Sequence, residues 1–363
     1  MELTTLIKTY RDAFEAKYAD HLLPGHRRAL DAITRCRTPA AGELLARCTD
    51  CGQIEWHPCS CGHRSCPRCQ NHEVSQWLER QREKLLPVDY FLVTFTLPAE
   101  LRSLAWRNQR QLYAALFRAA SQTLKAFGLN PKHLGADIGM TAILHTHSRR
   151  LTYHPHLHVV VPGGGVDVKQ RVWKRTRYRY LFNEFALAKV FRGKLLHEIT
   201  EAGLRSPTGE PKEWVVDCRH AGRGESALEY LSRYLYRGVI STSNIIADHK
   251  AQVTFRYTDG ETGEICTETL PGEDFLWRVI QHVLPRGFHR VRDYGFLHHN
   301  ARKTLQLIQL ILQVALQPMM PKARPNFCCS ACGGAMRVIG IYPASGIEKH
   351  GAPAQGPPRA MPA

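Results

Sequence analysis

The stretch Tyr153-His154-Pro155-His156-Leu157-His158-Val159-Val160-Val161 decides how the rest of the chain is read. In an extended strand successive side chains alternate between faces, so His154, His156 and His158 point one way and Tyr153, Pro155, Leu157, Val159 and Val161 the other. Upstream, Met140 to Thr146 has the composition of a strand, and the polar link through Ser148, Arg149 and Arg150 makes the two a β-hairpin stopped at Pro162-Gly163-Gly164-Gly165. His145 and His147 share a face across that hairpin, so one of them could reach the same point. A lone His-x-His pair is more often an ordinary surface feature. Three histidines at period two beside an apolar Val-Val-Val run instead suit a divalent metal, which can polarise a phosphoryl oxygen.

Working outward, residues 2–46 read as two or three helices broken at Pro24-Gly25, and Tyr90 to Leu97 reads as a strand ending at Pro98. Residues 100–127 and 180–203 follow a helical pattern, Trp214 to Cys218 a strand, and Glu225 to Arg237 a helix ended by Gly238. Val253 to Tyr257 and Ile265 to Leu270 form a second hairpin about Asp259-Gly260. This order of elements predicts an α+β fold with a largely antiparallel sheet.

In Glu229-Tyr230-Leu231-Ser232-Arg233-Tyr234-Leu235-Tyr236-Arg237, Tyr230 and Tyr234 lie one turn apart on a single helix face, with Arg237 on the same side and Tyr236 elsewhere. Two tyrosines so spaced usually form a packing stripe. Beside a metal-binding strand they become candidate covalent nucleophiles, with Arg237 placed to hold a phosphate. The run from Lys169 to Tyr180 interleaves Arg171, Lys174, Arg175 and Arg177 with three aromatics, the composition that neutralises phosphates and stacks bases, although a solvated face explains it as well.

Most of the twelve cysteines fall in two clusters with metal-ligand spacing. Cys48-x-x-Cys51 with Cys66-x-x-Cys69 is the expected zinc tetrad, with Cys61 as a spare ligand. Cys329-x-x-Cys332 is too small for a complete site, and reads equally as free thiols or as a half-site completed elsewhere. Lys and Arg outnumber Asp and Glu by 49 to 32, a formal charge of +17, which points to a polyanionic partner and above all to nucleic acid. No run is long enough to span a bilayer and no secretory leader is legible, so the chain is expected in the cytoplasm, with no membrane partner. The acidic residues between Asp137 and Asp217 form no cluster that suits a two-metal carboxylate enzyme.

Taken together, Cys36-Arg37-Thr38, the cysteine run 48–69, Phe95-Thr96-Leu97-Pro98, Leu144-His145-Thr146, His154 to His158, Tyr230-Leu231-Ser232-Arg233-Tyr234, Val283 to Phe288 and Tyr294-Gly295-Phe296 make the chain resemble the insertion sequence 91 family of bacterial transposases, within the HUH nuclease superfamily. The resemblance implies a helical zinc-binding domain over 1–86, an antiparallel-sheet nuclease domain with flanking helices over 87–300 and a C-terminal helix and cysteine motif over 301–344, while composition alone marks 345–363 as a disordered tail. It implies rolling-circle transposition: one of Tyr230 and Tyr234 attacks single-stranded DNA at the transposon ends or target, leaving a 5′-phosphotyrosine and a free 3′-hydroxyl. His156 and His158 would hold Mg²⁺ or Mn²⁺, with a third ligand open among His145, His154 and Glu229, and structural Zn²⁺ would support a nucleoid-associated, DNA-gripping region. A replication initiator or relaxase would share this chemistry. A zinc-dependent DNA-binding regulator without enzymatic activity would account for the charge and cysteines alone.

Overall fold

The computed structural model describes residues 2–69, 79–176, 179–226, 239–260, 262–314 and 327–344. It is an α+β protein that divides into two compact units, one of residues 1–34 and 63–320, the other of residues 35–62 and 321–363. The units are therefore not consecutive in sequence, unlike the linear division at 86, 300 and 344.

The helices of the first stretch are α1 (Leu3–Tyr18) and α2 (Pro24–Arg35), separated at the expected Pro24 break, and the small unit begins with β1 (Glu43–Cys48) and β2 (Ile54–Pro58). In the larger unit there follow β3 (Asp89–Thr96), α3 (Arg102–Arg107), α4 (Gln109–Leu129), β4 (Met140–His147), β5 (Tyr153–Pro162), β6 (Gly164–Asp167), β7 (Val172–Arg175), α5 (Glu184–Glu201) and β8 (Val216–Arg223). It continues through β9 (Ile245–His249), β10 (Gln252–Thr258), β11 (Ile265–Pro271), α6 (Gly272–Ile280), β12 (Val291–Tyr294) and α7 (Arg302–Ile311), and β13 (Met336–Tyr342) returns to the small unit.

The main sheet of the larger unit runs β12-β4-β5-β3-β8, with all neighbours antiparallel. One face carries Phe91, Val93, Phe95, Leu144, Leu157 and Val159 into a core closed by Leu116 and Phe117 of α4 and Leu187 and Phe191 of α5. Phe95 and Phe191 are fully buried with rings 4.8 Å apart, and burial of each contributes roughly 1.5–3 kcal/mol. Asn183 caps α5 by accepting from the Ala186 amide at 2.9 Å, and Glu198 near its end is anchored by Arg118 of α4 at 2.5 Å. The other face is divided along its length. Tyr90, Leu92, Ile143 and Val160 are covered by Phe296, Leu297 and Ile308, while the histidine half is not part of this cluster.

The turn expected at Gly163-Gly164-Gly165 is instead the start of β6, paired with β7. Gly164 has φ +155°, and a Cβ there would come within 2.6 Å of the Lys174 carbonyl, so the glycines serve strand contact rather than chain reversal. The three-stranded sheet β11-β10-β9 confirms the second hairpin, and Tyr18 of α1 stacks on Trp277 of α6 with centroids 4.7 Å apart. Arg64 donates to the carbonyls of Leu284, Pro285 and Phe288, which accounts for the Val283 to Phe288 motif as a folded loop.

In the small unit β13, β1 and β2 form an antiparallel sheet. Its cysteines correct the expected tetrad. Cys48 and Cys51 gather with Cys329 and Cys332, their sulfurs within 4.8 Å of one another, and Cys66 and Cys69 belong to the other unit. The Cys48–Cys332, Cys51–Cys329 and Cys51–Cys332 separations are 3.5, 3.6 and 3.5 Å. That is too long for a disulfide, and close to the roughly 3.8 Å edge of a tetrahedron with 2.3 Å Zn–S bonds. The amide of Cys51, joined by that of Asp50 at 3.4 Å from the Cys48 sulfur, favours the thiolate and brings the Cys48 thiol down to about 7. Sequence spacing missed this pairing because the strand order that unites the two pairs is set by β1–β13 contacts, not by proximity along the chain.

Two outcomes follow from these packings. Cys329→Ser lowers zinc content by about one ion per chain and exposes residues 35–62 to protease; unchanged zinc in that variant would show that Cys48 and Cys51 have other partners. His282 and His26 are buried and held down to about 4 by desolvation. An unfolded histidine titrates near 6.5, so the folded state binds fewer protons between these values: stability is complete above about pH 6.5 and declines as pH falls towards 4. Guanidinium unfolding at about pH 7.5 and 4.5 is expected to show a loss that shrinks by about 2–3 kcal/mol in His282→Gln, and an unchanged loss would remove His282 from the acid response.

Candidate metal and nuclease site

Register, more than spacing along one strand, assembles the site. The β4–β5 pairing sets His145 opposite His156 and Ile143 opposite His158. The β3–β5 pairing sets Thr96 opposite His156 and Thr94 opposite His158, and β8 sets Asp217 opposite Thr94. Two rows thus cross the sheet on one face, His145–His156–Thr96 and Ile143–His158–Thr94–Asp217. Leu144, Leu157, Phe95 and Val216 go to the core on the opposite face.

The coordinating nitrogens of His145, His156 and His158 all lie within 4.8 Å of one another. The His156 and His158 Nε2 atoms are 3.2 Å apart, and the His145 ring lies edge-on to both, its centroid 5.5 Å from His156 and 4.7 Å from His158. His156 donates from Nδ1 to the His154 carbonyl at 2.7 Å, which fixes its tautomer and leaves a lone pair on Nε2. Thr94 Oγ1 sits 3.1 Å from His158 Nδ1. Among the described residues the buried His145 Nε2 has no hydrogen-bond partner.

Burial keeps all three rings neutral. It pushes His145 well below the usual histidine range, reinforced by His158; it brings His156 to about 3, again with His158 contributing, and His158 to about 4, where Arg290 adds to the effect and Asp217 opposes it. Arg290 is fixed nearby by donating from Nε to the Leu144 carbonyl at 3.1 Å. Converging lone pairs, an orphaned buried nitrogen and suppressed protonation are what a divalent ion would relieve, so the donor set fits a metal.

The geometry separates the residues chosen from sequence. His145, His156 and His158 come together; His154 does not join them, because its Nδ1 accepts from Arg102 at 2.7 Å and only its carbonyl serves the group. Lys174 also departs from its DNA-binding assignment: its ammonium is engaged by the Gly135 carbonyl at 2.8 Å and Asp167 at 3.1 Å, and neighbouring Trp173 packs on Phe296. Arg171 and Arg175 are exposed on the β6–β7 hairpin. Tyr230, Tyr234, Arg237, Arg177 and Glu229 lie outside the described residues. Thr94, Asp217 and Arg290 were not anticipated, since only the cross-strand register brings them to the histidine face.

Among the described residues no helix is long and apolar enough to cross a membrane. Residues 139–304 match a family model described as "Putative transposase", and residues 6–97 one described as "Transposase zinc-binding domain". The chain is 35% identical over 325 residues to "Putative transposase y4qJ" of Sinorhizobium fredii, covering 83% of this chain and 81% of that protein. It is 31% identical over 282 residues to the transposase for insertion sequence element IS801 of Pseudomonas savastanoi pv. phaseolicola, covering 72% and 68%. No solved structure matches the chain. The zinc-binding and transposase regions occur in one polypeptide, around a structural zinc set and a histidine site, and the chain belongs to the insertion sequence 91 family of transposases.

Proposed function

We propose that this transposase nicks and rejoins single-stranded DNA through a 5′-phosphotyrosine intermediate in rolling-circle transposition. The observation that carries the reading is the trio of neutral imidazoles on one sheet face. Tyr230 and Tyr234 serve as nucleophiles. The phenolate oxygen of one bonds to the scissile phosphorus, the bond to the 3′ oxygen breaks, and that oxygen leaves as a hydroxyl after protonation. Attack by a 3′-hydroxyl on the phosphotyrosine reverses the step and joins strands, conserving the phosphodiester energy. The second tyrosine takes the second strand, and Arg237, Arg171 and Arg175 steady the DNA backbone.

His145, His156 and His158 would hold Mn²⁺ or Mg²⁺, which when bound polarises a phosphoryl oxygen and offsets its developing charge. An all-nitrogen donor set favours Mn²⁺ over Mg²⁺ and takes Co²⁺ more tightly than Mn²⁺. Thr94 and the His154 carbonyl orient two of the three rings. Cys66 and Cys69, which keep chelating spacing in a turn where the Cys69 amide donates to the Cys66 carbonyl at 3.1 Å, serve a zinc ion apart from the four-cysteine set.

Two measurements test this. With Mn²⁺ and labelled oligonucleotides from the element's ends, a denaturing gel is expected to show a protein–DNA adduct that disappears with EDTA and in Tyr230→Phe/Tyr234→Phe but persists in Tyr236→Phe. Tight DNA binding with no adduct would leave a zinc-dependent DNA-binding protein as the better description. In Co²⁺ titrations followed by absorbance, Thr94→Val weakens binding by about 10- to 100-fold and Thr94→Ser restores it. Equal affinities in all three proteins would show that the hydroxyl does not orient His158.

A further inference from the structure

We infer that the outer face of the β13-β1-β2 sheet in the small unit is a base-stacking platform for single-stranded DNA, built on Trp56 and Tyr342 with Arg47 and Arg337 as its phosphate clamp. The inference rests on the proposed single-stranded substrate but concerns a surface distinct from the histidine site.

Three rows make up this face. Ile54 lies beside Arg47, which lies beside Arg337; Trp56 beside Leu45 and Gly340; and Pro58 beside Glu43 and Tyr342. Trp56 and Tyr342 are 52% and 47% exposed, and their rings lie 4.9 Å apart at an interplanar angle of 57°. The pairing is possible because position 340 is glycine. A Cβ there would come within 2.8 Å of the Tyr342 ring, so Tyr342 lies back over Gly340 towards Trp56. Glycine inside a strand ordinarily weakens it, and close approach of an aromatic ring supplies the reason for it here. Two exposed aromatic rings on an antiparallel sheet offer π-surface to unpaired bases whatever their identity.

The second observation is electrostatic. Arg47 and Arg337 occupy directly opposed positions on neighbouring strands, both exposed, and among the described residues neither has a carboxylate partner within salt-bridge distance. Like charges set opposite each other destabilise a sheet. A phosphate bridging the two guanidiniums reverses that cost, and guanidinium is the group whose fork matches phosphate oxygens. The arginine row is about 7 Å from the Trp56 row, two residues along the strands. The one acidic group of the face, Glu43, sits at the far end beside Tyr342. Among single strand, duplex and protein, aromatic faces beside a paired cation favour the single strand, since a duplex keeps its base faces stacked within itself.

The test uses the full zinc-loaded chain and a fluorescein-labelled thymidine oligonucleotide carrying 5-iododeoxyuridine. On irradiation, cross-linked peptides are expected to contain Trp56 or Tyr342. Trp56→Ala/Tyr342→Ala should weaken single-strand binding on the order of tenfold, and Gly340→Val should do the same with both aromatics present, each with unchanged zinc content. Arg47→Gln/Arg337→Gln should lower the slope of log affinity against log salt by about 1. Cross-links confined to other peptides, or unchanged affinity in the zinc-loaded aromatic variants, would overturn the assignment. So would sedimentation showing that Trp56→Ala/Tyr342→Ala only dissociates a dimer, which would make the face a protein contact. Because the Tyr230 and Tyr234 adduct is read separately, an intact adduct without the cross-link refutes the platform alone, and a cross-link without the adduct refutes only the nuclease reading.

Discussion

The antiparallel register of β4 on β5 is the constraint on which the site depends. Side chains alternate with period two, so a slip of one residue would send His145 and its partners into the core and bring Leu144 and Leu157 out to solvent. The hydrophobic cost of that exchange holds the imidazoles in place: Leu144, Leu157, Phe95 and Val216 are locked among the helices α4 and α5, and the histidines are displayed on the other side as a consequence. The core therefore positions the chemistry without touching it. The desolvation that keeps the rings neutral has the same origin, since a sheet packed on one face and half covered on the other leaves little water around a side chain at its centre.

Much of this was legible in the sequence because it depends on local pattern. Alternation between Tyr153 and Val161 marks the strand and its polar face, and the polar link at 148–150 marks the hairpin and hence His145 or His147 as a neighbour of the histidine face; the register alone selects His145 opposite His156. What was not legible depends on contacts between distant segments. Thr94 reaches His158 only once β3 lies beside β5, and His154, on the right face by alternation, is drawn away by Arg102 from a different helix. Lys174 reads as a DNA-facing cation in a basic run, but Asp167 and the Gly135 carbonyl claim it. Gly163 to Gly165 read as a turn because flexibility and close backbone approach both call for glycine, and composition does not distinguish them.

The cysteines make the same point at longer range. Chelating pairs are visible as Cys-x-x-Cys, yet which pair completes which site is a property of the strand order β13-β1-β2. Metal and sheet support each other there: strand pairing brings the two pairs together, and the ion fixes strands whose own buried cluster is only Ala46, Cys48, Cys329 and Met336.

Cys48 and Cys332 are separated by 284 positions, with most of the larger unit encoded between them. A ribosome makes the chain from its N-terminus, so the first pair emerges long before its partners exist. During that interval Cys48 and Cys51 offer only half a coordination shell, and the small unit closes after residue 332 has been made. A chain halted between Tyr294 and Cys329 then carries the whole histidine face but neither the second cysteine pair nor β13, so its zinc-anchored sheet cannot form. Completion of the metal centre thereby reports that synthesis has passed Cys332.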